Sequence, residues 1–362
     1  MNKTKLNVNC PINKTGYGIA SKNILFELHK LYDISYFPIG GTIVDNQDAY
    51  VLMNEIIENT KNCDPKAPTL KIWHQFDLLN RVGNGEYYAM SFFELDTFNE
   101  TEKLHLKCPN RVFVSSQWAK NVVADQCPNV KTFVVPLGVD RSVFNQDKYP
   151  TEITDKYVFL NIGKWEIRKG HDVLLDIFQK AFPKDNKNVE LWILAPQNTN
   201  GYSNEQEILR WKNMYSSDDR VKLFTGFDSH KDVANLIANS NCGIFPSRAE
   251  GWNLELLEMM SMNKPVITTN YSSHTEFCNN QNSYLIDIKD KEKAYDGKAF
   301  NGQGYWAKIG SVEIDNFVDY MRTVYNNRVT VNPAGVATSE KYSWTNTVNH
   351  LTKYMEICGD GL

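Results

Sequence analysis

This chain has no apolar run approaching the roughly 20 residues that a membrane-spanning helix needs, so no transmembrane segment is expected. Met1–Asn9 is polar and lacks the apolar stretch of a secretory signal. Nor is there a surplus of cations: Lys+Arg 39 against Asp+Glu 43 gives a formal net charge of -4. A dedicated nucleic-acid binder usually carries a basic excess, so nucleic acid is not expected as a partner. An anionic ligand would have to meet a local cluster of cations, not a molecule-wide field. Cysteine is sparse and irregular. The seven, Cys10, Cys63, Cys108, Cys127, Cys242, Cys278 and Cys358, are odd in number, widely spaced and without a C-x-x-C pair. That pattern argues against both a zinc site and a disulfide framework. Asn-x-Ser/Thr sequons, such as those at Asn13 and Asn99, then read as polar loop residues. There is no repeat of fixed short period and no low-complexity tract. A cytoplasmic, thiol-containing protein is the expectation.

What is present is ample material for two cores. The 362 residues are 42% hydrophobic and 23% charged, the balance of a folded globular chain too long for one core. Short β-branched and aromatic runs predict strands at Leu6–Cys10, Ile34–Ile39, Leu70–His74, Tyr87–Phe93, Val112–Ser115 and Phe133–Pro136. A second series follows at Tyr157–Ile162, Glu190–Leu194, Val221–Phe224, Cys242–Phe245, Val266–Thr268 and Tyr284–Ile286. Amphipathic stretches separate them, such as Ile19–Leu31 with Ile24, Leu25, Leu28 and Leu31 on one face. Strands alternating with helices predict parallel β-α-β units, and two groups of six predict two doubly wound α/β domains. The polar stretch Asp147–Asp155 suggests the break, giving domains at 1–150 and 151–343. A last helical pattern, Thr345–Met355, follows the second domain, and Lys289–Gly304 reads as a loop.

Ligands of open parallel sheets bind beyond the carboxyl ends of the strands, so the residues just after each strand matter most. Lys14-Thr15-Gly16-Tyr17-Gly18 follows the first strand, where two glycines allow close backbone approach to a ligand at a helix start. It falls short of G-x-G-x-x-G, and a plain tight turn would look the same. Gly163-Lys164-Trp165-Glu166-Ile167-Arg168-Lys169-Gly170 leaves the first strand of the second domain. Its three cations beside a helix N-terminus suit a diphosphate, or form a solvated basic turn. Ser247-Arg248-Ala249-Glu250-Gly251-Trp252-Asn253-Leu254 runs into a helix that Asn253 can cap, with Glu258 about one turn in. Glu250 and Glu258 could accept hydrogen bonds from vicinal hydroxyls, as on sugar rings, with the N–H groups of Gly251 to Leu254 facing a phosphate between them. Taken alone, a capped helix with exposed glutamates explains the same pattern. In the first domain, His74 ends one strand, while Glu94 and Asp96 follow the next. Base chemistry, acceptor binding and loop capping all remain open there.

Together these residues resemble the family 4 glycosyltransferases. The Glu-x7-Glu signature is matched by Glu250 and Glu258, and the following Pro-Val-Ile strand and glutamate by Lys264-Pro265-Val266-Ile267 and Glu276. Gly163 through Gly170 matches G-R-x-x-x-x-K-G, with Lys164 in place of the usual Arg. Val114–Lys120, Val135–Asp140 and Tyr342-Ser343-Trp344 are similar to the family's interdomain and C-terminal stretches. Trp252-Asn253 departs from the more usual Phe-Gly.

The resemblance implies a GT-B fold: two Rossmann-like domains with parallel sheets facing a cleft and a C-terminal helix, about 344–362, crossing back to the first. It implies a retaining transfer of a hexose from a nucleoside diphosphate sugar to a hydroxyl acceptor, be it glycan, protein or small molecule. Glu258 would hold the ribose, Glu250 the transferred sugar, Lys164 and Lys169 (beside Arg168 and Gly163) the diphosphate, joined by Gly16 and Gly18. Gly226 and Phe227 would lie by the base, and His74 would match the family's cleft histidine. No cofactor or metal is expected, because no Asp-x-Asp motif occurs. An epimerase or phosphorylase of the same fold, or an inactive nucleotide-sugar or glycan-binding module, are the alternative readings.

Overall fold

The computed structural model describes residues 3–151, 155–195, 205–227 and 229–355. They divide into two compact units, Met1–Gly138 with Tyr342–Leu362, and Val139–Lys341. The division thus falls at Gly138/Val139, ahead of the polar stretch around residue 150. Cys358 and the end of the expected C-terminal segment lie outside the described residues.

The first unit runs β1 (Lys5–Ile12), α1 (Gly16–Leu31), β2 (Asp33–Thr42), α2 (Gln47–Asn59), β3 (Thr69–Ile72) and β4 (Tyr87–Met90). It continues with α3 (Glu100–Leu106), β5 (Arg111–Val114), α4 (Gln117–Gln126) and β6 (Thr132–Val134). Its sheet is parallel with the order β2-β1-β3-β4-β5-β6. β3 and β4 are buried along their whole length, as strands covered on both faces must be. Helix starts are set by side chains: Ser116 caps α4, and Asn99 and Glu102 form a reciprocal capping box on α3. α1 buries Ile24, Leu25 and Leu28 as expected, but Leu31 is half exposed, because the helix ends there and the chain turns into β2.

The second unit runs β7 (Tyr157–Ile162), α5 (His171–Ala181), β8 (Val189–Leu194), α6 (Glu205–Tyr215), β9 (Val221–Phe224) and α7 (His230–Ala238). There follow β10 (Cys242–Phe245), α8 (Leu254–Ser261), β11 (Val266–Asn270), α9 (His274–Phe277) and β12 (Tyr284–Asp287). The sheet order is β12-β11-β10-β7-β8-β9, all parallel. β7 is buried at all six positions, and the core beside it packs Trp165, Phe178, Ile193, Ile244 and Phe317. Each such side chain contributes about 1.5–3 kcal/mol of burial.

The segment expected as a loop at 289–304 is instead an antiparallel hairpin, β13 (Lys291–Tyr295) with β14 (Asn301–Ala307). Its alternation is masked in sequence by charge, since Lys291, Lys293 and Tyr295 face solvent while Ala294 is buried. Asp296 closes the turn by accepting from the N–H groups of Lys298 and Phe300. Two helices, α10 (Ser311–Asn326) and α11 (Pro333–Lys341), complete this unit.

The last described helix, α12 (Trp344–Met355), belongs to the first unit. Thr347 Oγ1 donates to the Pro136 carbonyl at 2.8 Å, Thr345 Oγ1 to Glu27 at 3.1 Å, and Tyr354 stacks on Phe133 at 4.7 Å. Gly138 makes that return possible: a Cβ there would stand 2.3 Å from the Trp344 nitrogen. No helix among the described residues is long and apolar enough to cross a membrane.

Candidate active site

In the second sheet the chain runs outward from β7 to β9, then returns to lay β10 on the other side of β7. The crevice at that reversal, beyond the carboxyl ends of β7 and β10, is where such sheets bind ligands. The β7–α5 and β10–α8 turns meet there at close quarters. Gly170 has φ +79, and a Cβ on it would lie 2.1 Å from the Pro246 carbonyl oxygen, so only glycine fits. The Arg248 N–H donates to the Arg168 carbonyl at 2.7 Å.

This contact brings Lys169 and Glu250 together. Lys169 Nζ lies 2.8 Å from Glu250 Oε1 and 4.0 Å from Glu255 Oε2. Arg168 Nη1 donates to the other Glu250 oxygen and to the Ala249 carbonyl, both at 2.8 Å, while its Nη2 reaches Glu166 at 2.7 Å. Burial alone would push the Glu250 carboxyl up, but Lys169, Arg168 and His274 outweigh it and hold it at about 2. Burial likewise disfavours the Lys169 ammonium, yet Glu250 and Glu255 raise it above the ordinary lysine value. Both groups are ionised and matched. Arg168 is directed at protein acceptors, whereas Lys164 is half-buried on the same turn.

Glu258 behaves oppositely. Burial first, then the charges of Glu255 and Asp140, push its pKa well above the ordinary glutamate value, which favours the protonated form. A protonated carboxyl both donates and accepts, which suits a pair of hydroxyls. Asn253, at the start of α8, takes φ +85, a left-handed conformation that Asn tolerates better than other side chains. Its Oδ1 accepts from the Leu256 N–H at 3.2 Å, and its Nδ2 meets His274 Nε2 at 2.9 Å. Burial lowers His274 to about 4, so the ring is neutral. Its proton then sits on Nδ1 toward the Thr269 carbonyl at 3.0 Å, leaving Nε2 to accept from Asn253. Trp252 is buried against Phe277, with ring centroids 4.8 Å apart. Glu250 N–H donates to Ser272 Oγ at 2.8 Å, and Ser273 Oγ donates to the Gly251 carbonyl at 2.9 Å. Gly251 and Leu254 are buried in the same turn, Gly163 packs on the Lys169 side chain, and Gly226 is open at φ +123 after β9, beside Phe227.

Glu255, Ser272, Ser273 and His274 are given no role in the sequence reading. Glu255 was legible as the i−3 neighbour of Glu258 on one helix face. The others carry no spacing signal and are found only through the fold. Arg248, part of the quoted motif but given no role there, is buried and clamps the site from behind. It holds Asp172 with two bonds of 2.8 Å, the Ile167 carbonyl at 2.7 Å and Glu292 of the hairpin at 2.8 Å.

In the first unit the sheet reverses between β1 and β3. Gly18 is pressed on Asn13, where a Cβ would stand 2.3 Å from Oδ1, whereas Gly16 faces open space. Between them Tyr17 OH donates to the Phe92 carbonyl at 2.8 Å and accepts from the Phe92 N–H at 2.7 Å. β3 and β4 stop at Ile72 and Met90, so His74, Glu94 and Asp96 stand on the loops beyond them. His74 packs between Tyr17 (4.4 Å) and Phe76 (4.9 Å).

Residues 156–297, which span the turns around Lys169 and Glu250 and the helix bearing Glu258, match the glycosyl transferases group 1 family. The match lies wholly within the second unit. Over 176 residues the chain is 25% identical to an uncharacterized glycosyltransferase of Methanocaldococcus jannaschii, covering 46% of this chain and 41% of the relative. The match therefore spans less than half of that relative's length. In fold, the chain is similar to a sucrose-phosphate synthase from Thermosynechococcus elongatus, with TM-score 0.70 at 13% identity over 98% of both chains. It is also similar to Anabaena HepE in complex with UDP-glucose, with TM-score 0.67 at 13% identity over 98% of this chain and 100% of that one. At such identities the likeness concerns the fold, which is GT-B. The group 1 segment holds Lys169, Glu250, Glu255 and Glu258, and the ring cluster of the first unit lies outside it.

Proposed function

We propose that the chain transfers a hexose from a nucleoside diphosphate sugar to a hydroxyl acceptor, with retention and without a metal. The observation that carries this reading is the convergence of Lys169, Glu250 and Glu255 at the β7/β10 reversal, inside the segment matched to the group 1 family. The bound UDP-glucose of the similar Anabaena protein favours a uridine nucleotide as the first donor to try.

In this reading Glu258 takes the ribose hydroxyls, and Glu250 the hydroxyls of the transferred sugar. Lys169 and Lys164, with the N–H groups of Gly251 to Leu254, take the diphosphate, and Gly226 and Phe227 border the base. As the C1–O bond to phosphate breaks, the electron pair leaves with the diphosphate. Fixed cations and N–H dipoles stabilise that charge, each worth a few kcal/mol in a dry site. The acceptor oxygen bonds to C1 on the same face, and its proton passes to the departing diphosphate oxygen. Lys169 enters this scheme already ionised and already placed by Glu250, so little reorganisation is needed. Acceptor binding is assigned to the first unit, around His74, Glu94 and Asp96.

The test is a panel of UDP-, GDP- and ADP-sugars incubated with the protein and EDTA, with released nucleotide as the readout. Release from one donor supports the reading and its metal independence. Absence of release from every donor, together with no nucleotide binding, would leave only a binding-module role. The anomeric configuration of an isolated product, read by NMR, tests retention separately.

A further inference from the structure

We propose that the first unit receives an uncharged pyranose ring on the exposed face of Phe76, which makes the acceptor a neutral saccharide. The proposal rests on the transferase reading above and gives its acceptor a chemical class.

His74–Asp77 is a hydrogen-bonded turn, in which the Asp77 N–H donates to the His74 carbonyl at 3.0 Å. The turn is braced from both sides: Gln75 Nε2 donates to Glu102 at 2.8 Å, and the Leu78 N–H donates to His105 Nδ1 at 2.9 Å. Turn tips favour Gly, Asn, Asp and Ser. This one carries Phe76, which is 48% exposed. Leaving a phenyl ring in water is unfavourable, and a braced turn prevents it from folding away. The ring is also held flat. It lies parallel to the His74 imidazole, 9° between planes and 4.9 Å between centroids, and Tyr17 backs the imidazole at 4.4 Å.

The platform stands at the reversal point of the first sheet, where ligands of open parallel sheets bind. Carboxylates stand on the loops that follow β3 and β4. Asp77 is the next residue, and Glu94 and Asp96 follow the Phe92 backbone that Tyr17 OH holds from both its N–H and its carbonyl. A flat aromatic face offers a surface for the C–H face of a sugar ring, and carboxylates accept from its hydroxyls. The same carboxylates oppose a phosphorylated ring, and the buried Lys71 is taken up within the protein, donating to the Asn80 carbonyl at 2.9 Å and pairing with Asp77 at 3.7 Å.

Saturation-transfer NMR on the full chain tests this with the methyl glycosides of glucose, galactose, mannose and N-acetylglucosamine, and with glucose 6-phosphate as the charged control. At least one neutral glycoside is expected to receive saturation on its ring C–H protons and to bind more tightly than glucose 6-phosphate. Phe76→Ala is expected to weaken that glycoside about tenfold, the size of one aromatic contact, and Phe76→Trp to restore it. The proposal is overturned if no neutral glycoside binds, if the phosphorylated sugar binds better, or if Phe76→Ala binds like the wild type. UDP binding by the same wild-type samples separates the two readings. UDP bound without any glycoside sinks only this proposal, and a glycoside bound without any nucleotide sinks the donor assignment.

Discussion

Lys169 and Glu250, 81 positions apart in the chain, form a buried ion pair of 2.8 Å at the point where the second sheet reverses. Both residues are under a tenth exposed. Removing one member of such a pair leaves the other charge buried, which costs about 3 kcal/mol. Arg168 still faces Glu250 in a Lys169→Ala variant, so the domain is expected to fold with its melting temperature lowered by roughly 6–12 °C. Calorimetry on the purified variant measures this directly. An unchanged transition would mean that Lys169 is not buried against Glu250 in solution.

The two signature glutamates should give opposite pH dependences. Glu250 titrates at about 2 when folded against an ordinary 4.5. Its contribution is present above pH 4.5 and lost as pH falls toward 2, because the unfolded chain takes up the proton first. Glu250→Gln should therefore flatten the acid limb between those values. Glu258 is raised instead, so the folded state keeps a proton that the unfolded chain releases, and stability falls as pH rises above 4.5. Glu258→Gln should be neutral at pH 4 and stabilising at pH 7. Urea titrations of both variants from pH 3 to 8 check the signs.

Gly138→Ala should loosen the C-terminal helix from the first unit. The added Cβ would meet the Trp344 nitrogen at 2.3 Å, and backbone rather than a pliable side chain would have to shift. A loss of about 1–3 kcal/mol is expected, in the range of other strained core insertions. Hydrogen exchange should show the amides of α12 deprotected first.

Arg248 should matter more than its hairpin partner. Arg248→Met removes the paired hydrogen bonds to Asp172 and the tie to the Ile167 carbonyl, an expected loss of about 2 kcal/mol with weakened nucleotide binding. Glu292→Gln touches a carboxylate about a third exposed, and under about 1 kcal/mol is expected. Denaturation of the two variants side by side decides the order.

Much of this fold was legible because central parallel strands are buried on both faces. Runs such as Tyr157–Ile162 and Cys242–Phe245 are near-continuous apolar stretches that few other elements produce. The β13–β14 hairpin was not, because its outward positions are lysines and its turn resembles a polar loop. In the site, Glu250, Glu258 and Lys169 were legible as a motif, but their pairing was not. A spacing shows which residues share a helix face, not which cation faces which carboxylate across two turns. Asn253 shows the same limit in another form: its departure from the usual glycine makes sense only once its left-handed backbone and its bond to His274 are seen.

The central claim is that the second unit holds a nucleoside diphosphate by Lys169. Calorimetric titration of UDP, GDP and ADP into the full chain in EDTA tests it most directly, with Lys169→Ala alongside. One nucleotide is expected to bind the wild type, and its affinity is expected to fall at least tenfold in the variant, the loss of one charge-assisted contact of about 1.5–3 kcal/mol. Binding of no nucleotide, or equal binding by both proteins, would contradict the account.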